Sequence, residues 1–109
     1  MKYYIEMHDE EHYLNPHEIA IQYNIYTKTG KPHGTFVARL LTEYQKLTNN
    51  GLKIYYHTHQ GMMRVYPEAV YKPLMDKLIV DYPKDTEITM EFENKNHYFI
   101  IKEETSYIV

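Results

Sequence analysis

Apolar positions along this chain recur with two periods, and the switches between them mark out its elements. From Lys2 to Met7 the residues Tyr3, Ile5 and Met7 alternate with polar neighbours, which predicts a strand. His8 to Pro16 is polar and predicts a loop. Glu18 to Tyr26 alternates again, with Ile19, Ile21, Tyr23 and Ile25 on one side, and predicts a second, half-buried strand. The Gly and Pro punctuation of 27–34 predicts a loop. The period then lengthens. Thr35 is placed to cap a helix with the stripe Phe36, Val37, Leu40, Leu41, Tyr44 and Leu47, closed by Asn49-Asn50-Gly51. Leu52 to His59 and Met62 to Tyr66 predict a hairpin around a two-residue turn, Gln60-Gly61. Pro73 interrupts the next helical stretch, so a regular helix is expected only from about Lys72 to Tyr82. Thr86–Glu93 and His97–Glu103 predict a last hairpin around Asn94-Lys95-Asn96.

The predicted order is β-β-α-β-β-α-β-β, with a faint internal duplication. A shift of 34 residues lays Leu40 on Leu74, Leu41 on Met75, Tyr44 on Leu78 and Ile54 on Ile88. Two split β-α-β units imply an α+β, two-layer, ferredoxin-like sandwich. Its core would be β-α-β-β-α-β, with an extra strand at each terminus and both helices on one face of an antiparallel sheet. All 109 residues are expected to form one domain.

That topology gives the predicted hairpin a functional face. A two-residue loop pairs His59 with Met62, His57 with Arg64 and Tyr55 with Tyr66. Ile54, Tyr56, Thr58, Met63 and Val65 would then meet the helices, leaving Tyr55, His57, His59, Met62, Arg64 and Tyr66 open. Aromatic, imidazole and guanidinium groups together suit a protein partner or stacked bases. Tyr and Thr are also simply good strand formers, and terminal strands could cover the face.

Composition narrows the chemistry. Hydrophobic residues make up 43% and charged residues 25%, which is globular rather than disordered. The absence of cysteine removes disulfides, zinc–thiolate sites and cysteine nucleophiles, and suits a cytoplasmic protein. No apolar signal core precedes the first acid and no run is long enough to span a bilayer, so neither leader nor membrane contact is expected. The net charge of −3 disfavours broad nucleic-acid binding, which needs a surplus of Lys and Arg. Thirteen tyrosines stand out beside three phenylalanines. Tyr, Lys, Asn and Ile share AT-rich codons, a flavour that would suit a phage or mobile-element product.

Three local patterns carry chemistry. His57 and His59 sit two apart on a predicted strand and could share a metal ion. With Tyr66 or Tyr71 following, they resemble HUH-type nicking endonucleases of rolling-circle replication. That resemblance implies a metal on the histidines and a tyrosine nucleophile acting on single-stranded DNA. Thr58 stands where that family has an apolar residue, and no Tyr-x-x-Lys pattern follows. His57-Thr58-His59-Gln60 also resembles the His-x-His-Pro of JAMM metalloproteases, without the proline. His8-Asp9-Glu10-Glu11-His12 resembles the His-x-x-Glu-His of inverted zincins, a motif that works only on a helix. Elsewhere, Lys28 and Lys31 lie on a loop where they could touch an acidic partner. Glu87, Glu91 and Glu93 line one strand as a wet face or as an acidic surface competing for a basic partner.

The sequence therefore predicts a small, non-enzymatic binding protein, regulatory or inhibitory, whose Tyr55, His57, His59, Arg64 and Tyr66 face engages a protein partner without a cofactor. A metal-dependent nuclease using His57 and His59, and a single-strand binder stacking bases on Tyr55 and Tyr66, are the alternatives. Edge strands would permit self-association.

Overall fold

The structure, a computed structural model, describes the backbone at 2–8, 13–48, 51–57 and 64–103, and side chains at 13–47 and 64–103. Among these residues the elements run β1 (Lys2–His8), β2 (Tyr13–Leu14), α1 (Pro16–Gln22), β3 (Ile25–Tyr26), α2 (Gly34–Thr48), β4 (Gly51–His57), β5 (Arg64–Pro67), α3 (Glu68–Asp81), β6 (Glu87–Phe92) and β7 (Lys95–Ile101).

The strand expected over Glu18–Tyr26 is instead α1 followed by the two residues of β3. Local chemistry explains this. The Glu18 amide donates to Asn15 Oδ1 at 2.8 Å, and the Asn15 amide donates to Glu18 Oε1 at 2.9 Å. With Pro16 in the first turn, this capping box nucleates a helix that the alternating isoleucines alone would not suggest. Ile19 and Ala20 are buried, whereas Ile21 is left exposed. Asn24, at φ 59°, takes the left-handed position that ends α1.

Helix α2 matches its predicted span, except that His33 rather than Thr35 begins it: the Val37 amide donates to the His33 carbonyl at 3.2 Å. Phe36, Val37, Leu40 and Leu41 are buried, but Leu47 is exposed. A Cβ at Gly34 would lie 3.2 Å from the backbone nitrogen of His17, so this glycine lets α1 and α2 approach closely. Helix α3 starts at Glu68, four residues before the expected Lys72, and runs through Pro73. Its far end is held by Lys84 Nζ, which donates to the carbonyls of Ile79 and Tyr82.

The strands form two sheets rather than one, in the orders β1-β4-β5-β2 and β3-β7-β6. The molecule is α+β, but the single antiparallel sheet of a ferredoxin-like sandwich is not what these residues build. β1 pairs with β4 in parallel, from Lys2↔Gly51 to His8↔His57. A parallel pair needs a long crossover, which the segment carrying α1 and α2 provides. The 34-residue repeat survives in the helices, which begin at Gly34 and Glu68. It fails in the strands that follow, because β4 and β6 belong to different sheets.

One apolar cluster draws Ile19 from α1, Ile25 from β3, Phe36 and Leu41 from α2, Tyr66 from β5, Met75 from α3, and Phe99 from β7. Phe36 and Phe99 stack at its centre with ring centroids 4.3 Å apart. The last hairpin closes through Glu93 and Asn94, both near φ +57° (56° and 58°), a two-residue turn rather than the expected Asn94–Asn96 loop. No helix among the described residues is long and apolar enough to cross a membrane.

Candidate functional site

The face expected to carry function does not assemble as predicted. Tyr55 lies opposite Val65 and Tyr56 opposite Arg64, one residue out of the predicted register. A one-residue slip exchanges the faces of a strand. Accordingly, Arg64 and Tyr66 turn toward α2 rather than away from the helices. Arg64 donates from Nη1 to Thr42 Oγ1 and from Nη2 to Gln45 Oε1, each at 3.3 Å. Its guanidinium carbon sits 5.0 Å over the Tyr66 ring. Tyr66 is fully buried, and so is Val65, which leaves β5 no open face. Base stacking on Tyr66 is therefore excluded. Of the other predicted residues, Tyr55 and His57 lie on β4 by their backbone, while their side chains, His59, Thr58 and the Gln60-Gly61 turn lie outside the described residues.

The proposed tyrosine nucleophiles fare no better. Tyr66 and Tyr71 are both buried, and burial pushes each hydroxyl above its ordinary value, which opposes phenolate formation. Tyr23, against Tyr71, is pushed up to about 12 by burial and then by the Asp76 carboxylate. Asp9 to His12 of the zincin-like pattern lie outside the described residues. Among the described residues no three His, Asp or Glu side chains converge as metal ligands. Glu87 and Glu91 are exposed, as a wet strand face requires. Glu93 departs from them: it occupies the turn, 3.9 Å from Arg39 Nη1 and 3.8 Å from His97 Nε2.

Polar groups converge elsewhere. A cleft of about 360 Å³ opens between the loop following β3, the first turn of α2, and the β6–β7 hairpin. Lys28, Arg39 and Lys95 line it, together with His33 and His97 and one carboxylate, Glu87. Local structure sets the positions of Lys28, His33 and His97. The Thr27 amide donates to the Lys31 carbonyl at 2.8 Å, and Gly30, at φ 90°, lets the chain fold back so that Lys28 is displayed. His33 is set by its amide, which donates to the Ile25 carbonyl at 2.9 Å. His97 is buried with its ring stacked on Phe92 at 3.7 Å, and its Nε2 lies 3.3 Å from the Phe92 carbonyl. Burial lowers the His33 pKa; an interaction with the Tyr98 backbone opposes this, and His97 adds to the lowering. Lys28, Arg39 and Lys95 thus outnumber the nearby carboxylates, Glu87 in the lining and Glu93 paired with Arg39, within a chain whose net charge is −3.

Of these residues sequence pattern singles out only Lys28, as a loop cation, and Glu87, as part of an acidic strand face. The others stand far apart in the chain, and no periodicity links a loop histidine to a hairpin lysine. A scan against protein-family models finds no match, and neither do searches of curated proteins and of solved structures.

Proposed function

We propose that this chain is a small, non-enzymatic binding protein that takes an acidic segment of a protein partner into the cleft lined by Lys28, Arg39 and Lys95. The observation that carries this reading is the charge reversal: a local excess of cations on a chain that is acidic overall. Such a patch attracts a short acidic segment, while the surrounding negative charge repels a long polyanion that would extend beyond it. This favours a protein over a nucleic acid. A cytoplasmic setting belongs to the proposal, on the cysteine-free composition.

The test uses an octapeptide of alternating Glu and Val, titrated into the isotope-labelled chain. Amide resonances of Lys28, His33 and 95–98 are expected to shift. The triple variant Lys28→Glu, Arg39→Glu, Lys95→Glu, checked for folding by circular dichroism, should bind at least about tenfold more weakly, and added salt should weaken the native complex. Unchanged affinity in the triple variant would overturn the reading. So would tighter binding of an oligothymidylate at the same resonances, which would make the partner a nucleic acid.

A further inference from the structure

The cleft borders an unfinished sheet edge. β3 pairs with β7 only at Ile25↔Ile101 and Tyr26↔Ile100, and then leaves the sheet. β7 continues for five more residues toward its start at Lys95, paired with β6 on the other side alone. Two hydrogen bonds fix which backbone groups face the gap. The Lys102 amide donates to the Asn24 carbonyl, toward β3, whereas the Ile101 carbonyl accepts from the Asp85 amide, toward β6. Backbone groups alternate sides along a strand, so those of Asn96 and Tyr98 point into the gap. Among the described residues no backbone group pairs with either; the His33 imidazole alone interacts with Tyr98 there. An exposed row of this kind is a template for another strand unless it is blocked by charge, proline or a covering element. Here the flanking charges are Lys28, Lys95 and Arg39, with Glu87 in the same lining and Glu93 paired to Arg39; the cations are in excess, which disfavours a basic strand and admits an acidic one.

Building on the reading above, we infer that the acidic segment binds as an added β-strand, pairing its backbone with Asn96 and Tyr98 where β3 ends and displacing the His33 ring from Tyr98. Main-chain hydrogen bonds would then supply affinity, and the flanking cations would select acidic side chains on one face of the guest. The geometry accounts for both the shortness of β3 and the placement of positive charge beside a free strand edge.

The experiment keeps the native chain and varies the peptide. Two versions of the Glu–Val octapeptide are made, one N-methylated at every Val and the other at every Glu, so that each loses the donors of one edge. One version should bind at least about tenfold more weakly than the parent and the other about equally. Hydrogen exchange at the Asn96 and Tyr98 amides should slow on binding the parent. Tyr98→Pro offers a second route: its amide faces the gap, so proline there removes no hydrogen bond of the β6–β7 ladder. It should abolish binding where Tyr98→Thr does not. Equal binding of both methylated versions, with the charge-reversed variant still defective, would overturn strand addition and leave charge capture standing. If the parent peptide does not bind at all, the cleft reading falls and strand addition falls with it.

Discussion

His33 sits where the loop after β3 meets the first turn of α2, and its environment favours the neutral ring, chiefly through burial and further through His97. The Tyr98 backbone pulls the other way without reversing the shift. A folded-state pKa below the unfolded value means that the unfolded chain binds the proton more readily. The stability contributed by neutral His33 is therefore complete above an unfolded value of about 6.5 and is lost as pH falls through the lower folded value. The urea midpoint of the native chain should accordingly fall on acidification below about pH 6.5. His33→Gln, which keeps a hydrogen-bonding group but cannot titrate, should flatten that fall. Urea titrations at successive pH values check this. An equally steep fall in the variant would assign the acid sensitivity to other titrating groups, histidines or carboxylates.

Helix α1 shows at the scale of an element how local chemistry overrides periodicity. Its isoleucines alternate as a strand would have them, yet Asn15, Pro16 and Glu18 satisfy the first turn before any sheet partner is needed. Asn15→Ala should cost about 1 kcal/mol of stability in urea unfolding. Asn15→Asp, which retains the cap, should cost much less; equal losses would show that the box does not hold α1. The capping residues stand in the sequence, but the alternation of Ile19, Ile21, Tyr23 and Ile25 points to a strand over them; the stripe of α2 and the strands of the last hairpin were legible. The parallel pairing of β1 with β4 was not, because period-two patterning says which face a strand buries and not which strand it will meet. The same ambiguity misplaced Arg64 and Tyr66. A turn written as Gln-Gly licenses a two-residue hairpin, but the observed Tyr56↔Arg64 register is one residue off the one that turn requires, and Arg64 and Tyr66 face the helix side. Pro73 misled for a different reason: the backbone acceptor it leaves without an amide partner is the carbonyl of Ala69, and both residues are exposed, so water can satisfy that carbonyl and the helix continues.

Across the whole molecule the two sheets share no strand, yet the apolar cluster takes side chains from both of them and from all three helices. Two separate sheets would permit two folding units, one around β5 and the other around β7. The cluster argues against that division. Phe36 of α2 stacks on Phe99 of β7, while a neighbouring turn of the same helix carries Thr42 toward Tyr66 of β5, their oxygens 3.5 Å apart. Helix α2 thus contributes to the packing of each sheet, and neither unit could open without exposing the apolar face it shares with the other. Urea unfolding should consequently be a single transition, with the same midpoint by far-ultraviolet circular dichroism as by the resonances of α1, β5 and β7. Midpoints that separate along sheet lines would show that α2 belongs to one unit only. The cleft between α2 and the β6–β7 hairpin would then lie at a boundary between units that open independently, and its cations could not hold a fixed arrangement for a guest strand.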